Sequence, residues 1–316
     1  MIKNNYTGYT LLLITILFFS TYEVVNKIIG PHIDAFQINF LRFFFGGLLL
    51  FVFALIKKEV RISIKDFLLC CVLGILNAVI SMGLINMSLR VENASAAVTA
   101  VLFSCNPIFV SLVASLIDKE SMSKTKVIAL ILGLIGTLLI SFNKLQFNVS
   151  SILSPFLAVL SAVFFALYSV LGKRLSKKIG SLRMNAYSFI GGSLILAVLL
   201  VITKRPVFTF NISITPWVFY LAFFVTGLAY LFYFAGLSII GAGKGSLVFF
   251  LKPVFAAVLA FIFLHERMNL LSVLGTVIIL SGVWIMWGKE LIFPTNKTTS
   301  ADYTDEEGKK EPECLP

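Results

Sequence analysis

Long apolar runs alternate with short polar ones from end to end of the chain. A helix needs about 20 apolar residues to cross the hydrocarbon core of a bilayer. Ten stretches meet that need: 8–29, 34–56, 67–88, 92–117, 125–142, 153–172, 182–203, 215–239, 242–264 and 271–288. No small-x-small cleavage site closes the first run, which therefore reads as a membrane helix and not a signal peptide. Beyond Lys289 the chain turns polar and acidic, with Asp302, Asp305, Glu306 and Glu307, the composition of a disordered tail. The pattern predicts an all-α integral membrane protein with ten transmembrane helices.

Composition makes lipid the solvent. Of 316 residues, 59% are hydrophobic and 13% charged, and the mean hydropathy is +0.97. An ordinary soluble domain carries roughly 25% charged residues. The net charge of +11 would suggest nucleic acid for a soluble protein. Here the cations sit in loops, as in Lys57, Lys58, Arg61 and Lys65, or Lys173, Arg174, Lys177 and Lys178. Such clusters set orientation. They place both termini on the cytoplasmic side of the plasma (inner) membrane and argue against nucleic acid as a partner. Four cysteines without a CxxC spacing, and histidines only at loop positions 32 and 265, predict neither a metal site nor a cofactor.

The chain repeats itself. A shift of 146 residues brings Tyr22 onto Tyr168, Lys27 onto Lys173, Asn39 onto Asn185, Gly46 onto Gly192, Pro107 onto Pro253 and Glu120 onto Glu266. Over 22–142 against 168–288, 24 of 121 positions are identical. Apolar matches are common by chance, so the polar, glycine and proline matches carry the signal. The predicted organisation is a cytoplasmic N-terminus (1–7), a five-helix repeat (8–142), a linker (143–152), a second five-helix repeat (153–288) and the cytoplasmic tail (289–316). Five is odd, so the second repeat enters the membrane upside down, the inverted plan of secondary transporters.

Candidate chemistry follows from what a membrane span rarely tolerates. An intramembrane ionisable residue is expensive and marks function by default. Glu23 and Arg42 lie at similar depth in helices 1 and 2, either as a structural pair or as a site for a zwitterion. Lys252 precedes Pro253 in helix 9, and its counterpart Asn106 precedes Pro107 in helix 4. A proline frees the carbonyl four residues back, here those of Phe103 and Phe249, and such groups need protein or a wet cavity around them. Asn106, Lys252, Phe103 and Phe249 are therefore expected to line the substrate cavity, with Pro107 and Pro253 as gating hinges. Asn86 and Tyr230 complete the substrate-binding candidates. Asn39, Asn77, Asn185, Tyr168 and Tyr233 are weaker ones, more often helix bridges or packing. Gly46, Gly47, Gly133 and Gly136 read as close helix contacts, and Glu120 and Glu266 as surface caps or pairs. One glutamate and no histidine within the spans speak against an intramembrane enzyme.

Over about 8–288 the chain resembles the drug/metabolite transporter superfamily, and within it the EamA-type members. The likeness rests on the 5+5 helices, on Asn106-Pro107 and Lys252-Pro253, on Glu120 and Glu266 thirteen residues after each proline, and on the paired segments 22–27 and 168–173. It departs at Ser20-Thr21-Tyr22-Glu23, where many members carry Trp-Gly. The resemblance implies a secondary transporter of a small organic metabolite, with an amino acid or similar zwitterion or anion, moving outward, as the expected cargo. A coupling proton or ion and a monomer or homodimer fit the same class. Alternatives are export of apolar or cationic drug-like compounds, and import of a metabolite.

Overall fold

The computed structural model describes residues 5–92, 96–142, 152–209, 211–255, 258 and 270–292, except for the side chains at 23, 24, 26, 27, 96, 97, 100, 141 and 288–292. Among the described residues there is helix and no strand. We number the helices α1 (Asn5–Ile29), α2 (Ala35–Ile56), α3 (Ile64–Arg90), α4 (Ala96–Ser104 and Asn106–Ile117), α5 (Lys124–Ser141), α6 (Leu153–Ile179), α7 (Ser181–Ile202), α8 (Ile212–Ile240), α9 (from Ala242) and α10 (Leu270–Ile292); among the described residues α2, α3, α6, α7, α8 and α10 are long and apolar enough to cross a membrane. Of α9, residues 242–255 and 258 are described. Leu13, Val52, Leu116, Val198 and Trp284 are exposed, as a lipid-facing surface requires.

Each side of the repeat register reproduces the other in packing. α2 lies against its own counterpart α7, and α5 against α10. The contact of α1 with α8 corresponds to that of α6 with α3. Glycines set the closest approaches. A Cβ on Gly136 would stand 2.6 Å from the Gly275 carbonyl oxygen and 2.5 Å from Ile279, and one on Gly192 would stand 2.5 Å from the Gly74 oxygen. Gly180 and Gly241, at φ +88° and +97°, turn α6 into α7 and α8 into α9 within one residue, a backbone that side-chain-bearing residues rarely adopt.

Two irregularities absent from the sequence reading also obey the register. α3 widens to a π-helix at Ile75–Ser81 and α8 at Leu221–Leu228, at corresponding places. A π turn leaves carbonyls without their usual helical donors, and no water reaches them in the hydrocarbon. Counterpart side chains donate to carbonyls at the end of these turns or just beyond them. Thr15 Oγ1 donates to the Ala229 carbonyl (3.1 Å), and its counterpart Ser161 Oγ donates to the Ser81 carbonyl (2.7 Å). Asn39 Nδ2 donates to the Met82 carbonyl (3.4 Å) and Asn185 Nδ2 to the Tyr230 carbonyl (3.3 Å). The two asparagines are thus helix bridges.

Ion pairs gather the polar loops at two ends of the bundle. At one end Asp34 caps α2 by accepting from the N–H groups of Phe36 (2.8 Å) and Gln37 (3.2 Å). Its other oxygen takes Arg90 from the end of α3 and Arg205 from the α7–α8 loop, both at 2.8 Å. At the other end Lys178 reaches Asp66 (2.6 Å) and the Tyr187 hydroxyl donates to the Val60 carbonyl (2.6 Å). The basic loops 57–66 and 173–181 therefore share one face. Glu120 closes that face. Its carboxylate accepts from Lys173 Nζ (2.7 Å) and from the N–H groups of Ala242 and Gly243 (2.9 Å each), capping the start of α9, while Lys173 also pairs with Asp118. Glu266, its sequence counterpart, lies outside the described residues. Burial would raise the Glu120 pKa, but the Lys173 ammonium and the two N–H groups outweigh it and hold the carboxyl below its ordinary range.

Two outcomes follow. Gly136→Val forces a side chain into a backbone oxygen and should cost about 1–3 kcal/mol, read as a lowered melting temperature in detergent, whereas Gly30→Ala, with nothing within 4 Å, should not. A carboxyl whose folded pKa is depressed stabilises above its unfolded pKa, about 4.3 for glutamate, and loses that contribution as pH falls below it. The melting temperature should therefore be flat from pH 8 to 6 and fall on acidification below about 4. Glu120→Gln should lower the neutral-pH plateau and weaken the acid dependence.

Candidate functional site

Six of the sequence candidates, Arg42, Asn86, Phe103, Tyr230, Phe249 and Lys252, line one cavity of about 270 Å3. The walls come from the C-terminal parts of α1 and α3 and the N-terminal parts of α2 and α4, all of which end at the Asp34 end. The cavity therefore occupies that half of the bundle. Phe165 of α6, Tyr230 of α8 and Phe249 of α9 come from the middle of their helices and form its deep part. Phe165 meets Phe249 edge-on at 5.5 Å, and Phe19 stacks on Phe249 at 5.8 Å. The Glu120 cluster lies beyond this aromatic floor.

The helix breaks place the deep residues. α4 is interrupted at Cys105, one residue before Asn106-Pro107. α9 runs as tight 3-10 turns over Ser246–Phe250, just before Lys252-Pro253. In both helices the phenylalanine four residues before the proline, Phe103 or Phe249, faces the cavity. Lys252 is half-buried in the wall.

Arg42 is the most constrained cation. It is 4% exposed, and its Nε and one terminal nitrogen have no hydrogen-bond partner among the described residues. Its guanidinium sits 4.6 Å from the Tyr22 ring centre and 4.7 Å from that of Phe43. The aromatic faces offset part of the desolvation, but they satisfy no N–H. The site can therefore accept a carboxylate or another oxyanion. Asn86 is partly spent already, since its amide donates to the Ala35 carbonyl at 3.3 Å.

The remaining candidates stand elsewhere. The Glu23 side chain lies outside the described residues. Asn106 is fully buried away from the cavity, and both of its amide atoms lack a partner among the described residues. Pro107 is buried beside it, and Pro253 is half-buried. Tyr168 is buried, its hydroxyl without a partner among the described residues, while the Tyr233 hydroxyl donates to Ser169 (3.0 Å). Sequence reasoning passed over Tyr22, Phe19 and Phe165 as cavity residues; the repeat match of Tyr22 with Tyr168 was the one available signal. Among the described residues no cluster of histidine, cysteine or carboxylate side chains could hold a metal ion.

Comparison with known proteins fits this architecture. The model of the EamA-like transporter family matches twice, over residues 6–142 and 152–288, and both limits are displaced by the 146-residue register (6 to 152, 142 to 288). An uncharacterized transporter of Clostridium kluyveri is 31% identical over 286 residues, covering 87% of this chain and 91% of its own. The transporter YyaM of Bacillus subtilis, also uncharacterized, is 30% identical over 243 residues, covering 75% and 77%. A protein of known crystal structure superposes with a TM-score of 0.77 at 17% identity, over 89% of this chain and 96% of that one, which speaks for the fold alone. The chain is a multi-pass membrane transporter and belongs to the EamA-like transporter family.

Proposed function

We propose that this transporter is a secondary carrier for a small organic anion or zwitterion, with an amino acid as the leading cargo, exported across the plasma membrane by alternating access. The observation that supports it most is Arg42: a buried guanidinium with two donor nitrogens unmet among the described residues, facing the same small cavity as Lys252. A buried cation is costly unless paired. A carboxylate entering the cavity beside Arg42 supplies acceptors for these donors, and charge-assisted bonds of this kind are the strong ones. The remaining walls are largely aliphatic and aromatic, a fit for an apolar side chain. For an amino acid, Glu23 is the candidate partner of the ammonium, with Asn86 beside it.

In this reading the termini are cytoplasmic, the cavity faces outward and the Glu120 cluster is the closed inner gate. Pro107 and Pro253 act as hinges. The five-helix inverted repeat supports the rocking motion, because two similar halves of opposite orientation give two related states.

Counterflow in proteoliposomes loaded with a mixed metabolite pool, read by mass spectrometry, should show exchange of carboxylate-bearing compounds. Replacing a cation that makes one charge-assisted bond pair costs about 2–3 kcal/mol, or roughly 30–140-fold. Arg42→Met and Lys252→Met should each lower carboxylate flux by that order while the protein elutes as a monodisperse species. Arg42→Lys should be intermediate, since it keeps charge but loses the planar stack on Tyr22. Full flux in both methionine variants would leave cationic or apolar compounds as the cargo.

A further inference from the structure

The cavity accounts for only one side of a two-sided carrier, and the repeat register indicates what the other side contains. This step rests on the alternating-access reading above. The register holds for the π turns and for the donors around them: Thr15 corresponds to Ser161 and Asn39 to Asn185 across 146 residues, while the acceptor carbonyls of the second half stand two positions further along. In an inverted-repeat carrier the alternate state arises when the two halves exchange conformations. A residue that lines the cavity now therefore has a counterpart that lines it after the exchange.

The counterparts fall into two groups. Phe19 pairs with Phe165, and Phe103 with Phe249; all four already face the cavity. They form a belt that belongs to both states. Tyr22, Arg42 and Lys252 behave otherwise. Their counterparts are Tyr168, Ser188 and Asn106, and all three are completely buried. The Tyr168 hydroxyl and both amide atoms of Asn106 also lack hydrogen-bond partners among the described residues. Among the described residues Ser188 donates along its own helix, to the Asn185 carbonyl at 3.2 Å and weakly to Met184. Orphaned polar groups in a packed interior are unusual and call for an explanation. A state in which they meet solvent or substrate explains them.

We infer that Tyr168, Ser188 and Asn106 are the substrate contacts of the alternate state, reached from the Glu120 end, and that this second site is neutral where the present one carries two cations. A carboxylate then binds the present state more tightly than the alternate one. Its apolar part stays in the same phenylalanine belt throughout. The difference in affinity does not set the direction of net movement, which a substrate gradient or a coupling ion supplies.

The test is sided accessibility. Ser188→Cys and Tyr168→Cys are placed in the otherwise native chain and exposed to a membrane-impermeant maleimide in right-side-out and inside-out vesicles. Site-resolved peptide mass spectrometry reads the modified position. Lys177→Cys and Lys204→Cys, both exposed at opposite ends, report which face each preparation presents. Ser188→Cys should label at least tenfold faster from the Lys177 face. Adding Glu120→Gln, which loosens the closed end, should raise that rate further. Met82→Cys, in the present cavity, should label from the Lys204 face. Labelling of Ser188→Cys and Tyr168→Cys from the Lys204 face, or from neither face even with Glu120→Gln, overturns the inference. A counterflow assay on the same variants separates the two readings. Inaccessible cysteines in a protein that still exchanges carboxylates sink the second site alone. No exchange of any compound, with sided labelling intact, sinks the proposed cargo and leaves the two-state geometry standing.

Discussion

Backbone hydrogen bonding in a medium without water constrains every irregular feature of this structure. Each N–H and C=O at membrane depth must find a protein partner. Straight helices solve the problem trivially and offer nothing to a cargo. The interest lies where α3 and α8 widen into π turns and where α4 and α9 break before a proline. Near the π turns, serine, threonine and asparagine side chains from crossing helices donate to backbone carbonyls. The cavity sits among these interruptions, bounded by the phenylalanines that precede each proline by four residues.

A second constraint acts on charge. The span interiors contain few ionisable groups, and those whose side chains are described, Arg42 and Lys252, face one cavity. Carboxylates concentrate instead at the two ends, where Asp34 and Glu120 each draw together segments of both repeats. Ends are held by ion pairs and the middle by aromatic contact. Ring contacts are weakly directional next to charge-assisted ion pairs, so the two regions differ in how strictly they fix geometry.

Much of this was legible in the sequence, for identifiable reasons. Apolar length marks spans, since nothing else satisfies a bilayer, and prolines mark breaks, since they remove a donor. Arg42 and Lys252 stood out because charge is rare there. The π turns were not legible: no proline or charge distinguishes Ile75–Ser81 from ordinary helix, and the extra residue per turn is set by what packs across it. Nor were Phe19 and Phe165 separable from the other phenylalanines, of which the chain has 31, because an aromatic ring suits lipid, core and cavity equally. Asn106 was singled out by its proline, yet it points away from the cavity in this state. A single sequence carries no sign of which of two conformations a residue serves.

The bonds across the π turns also bear on how the polypeptide is made. The Ser81 carbonyl in the first half is capped by Ser161, and the Ala229 carbonyl in the second by Thr15. The first five helices thus leave the translocon holding a polar group whose partner has yet to be synthesised. Each widened helix thus takes a side-chain donor from the other half. Assembly of the two is therefore part of membrane insertion itself, and a ribosome that stalls between them would leave an incomplete half exposed to quality control.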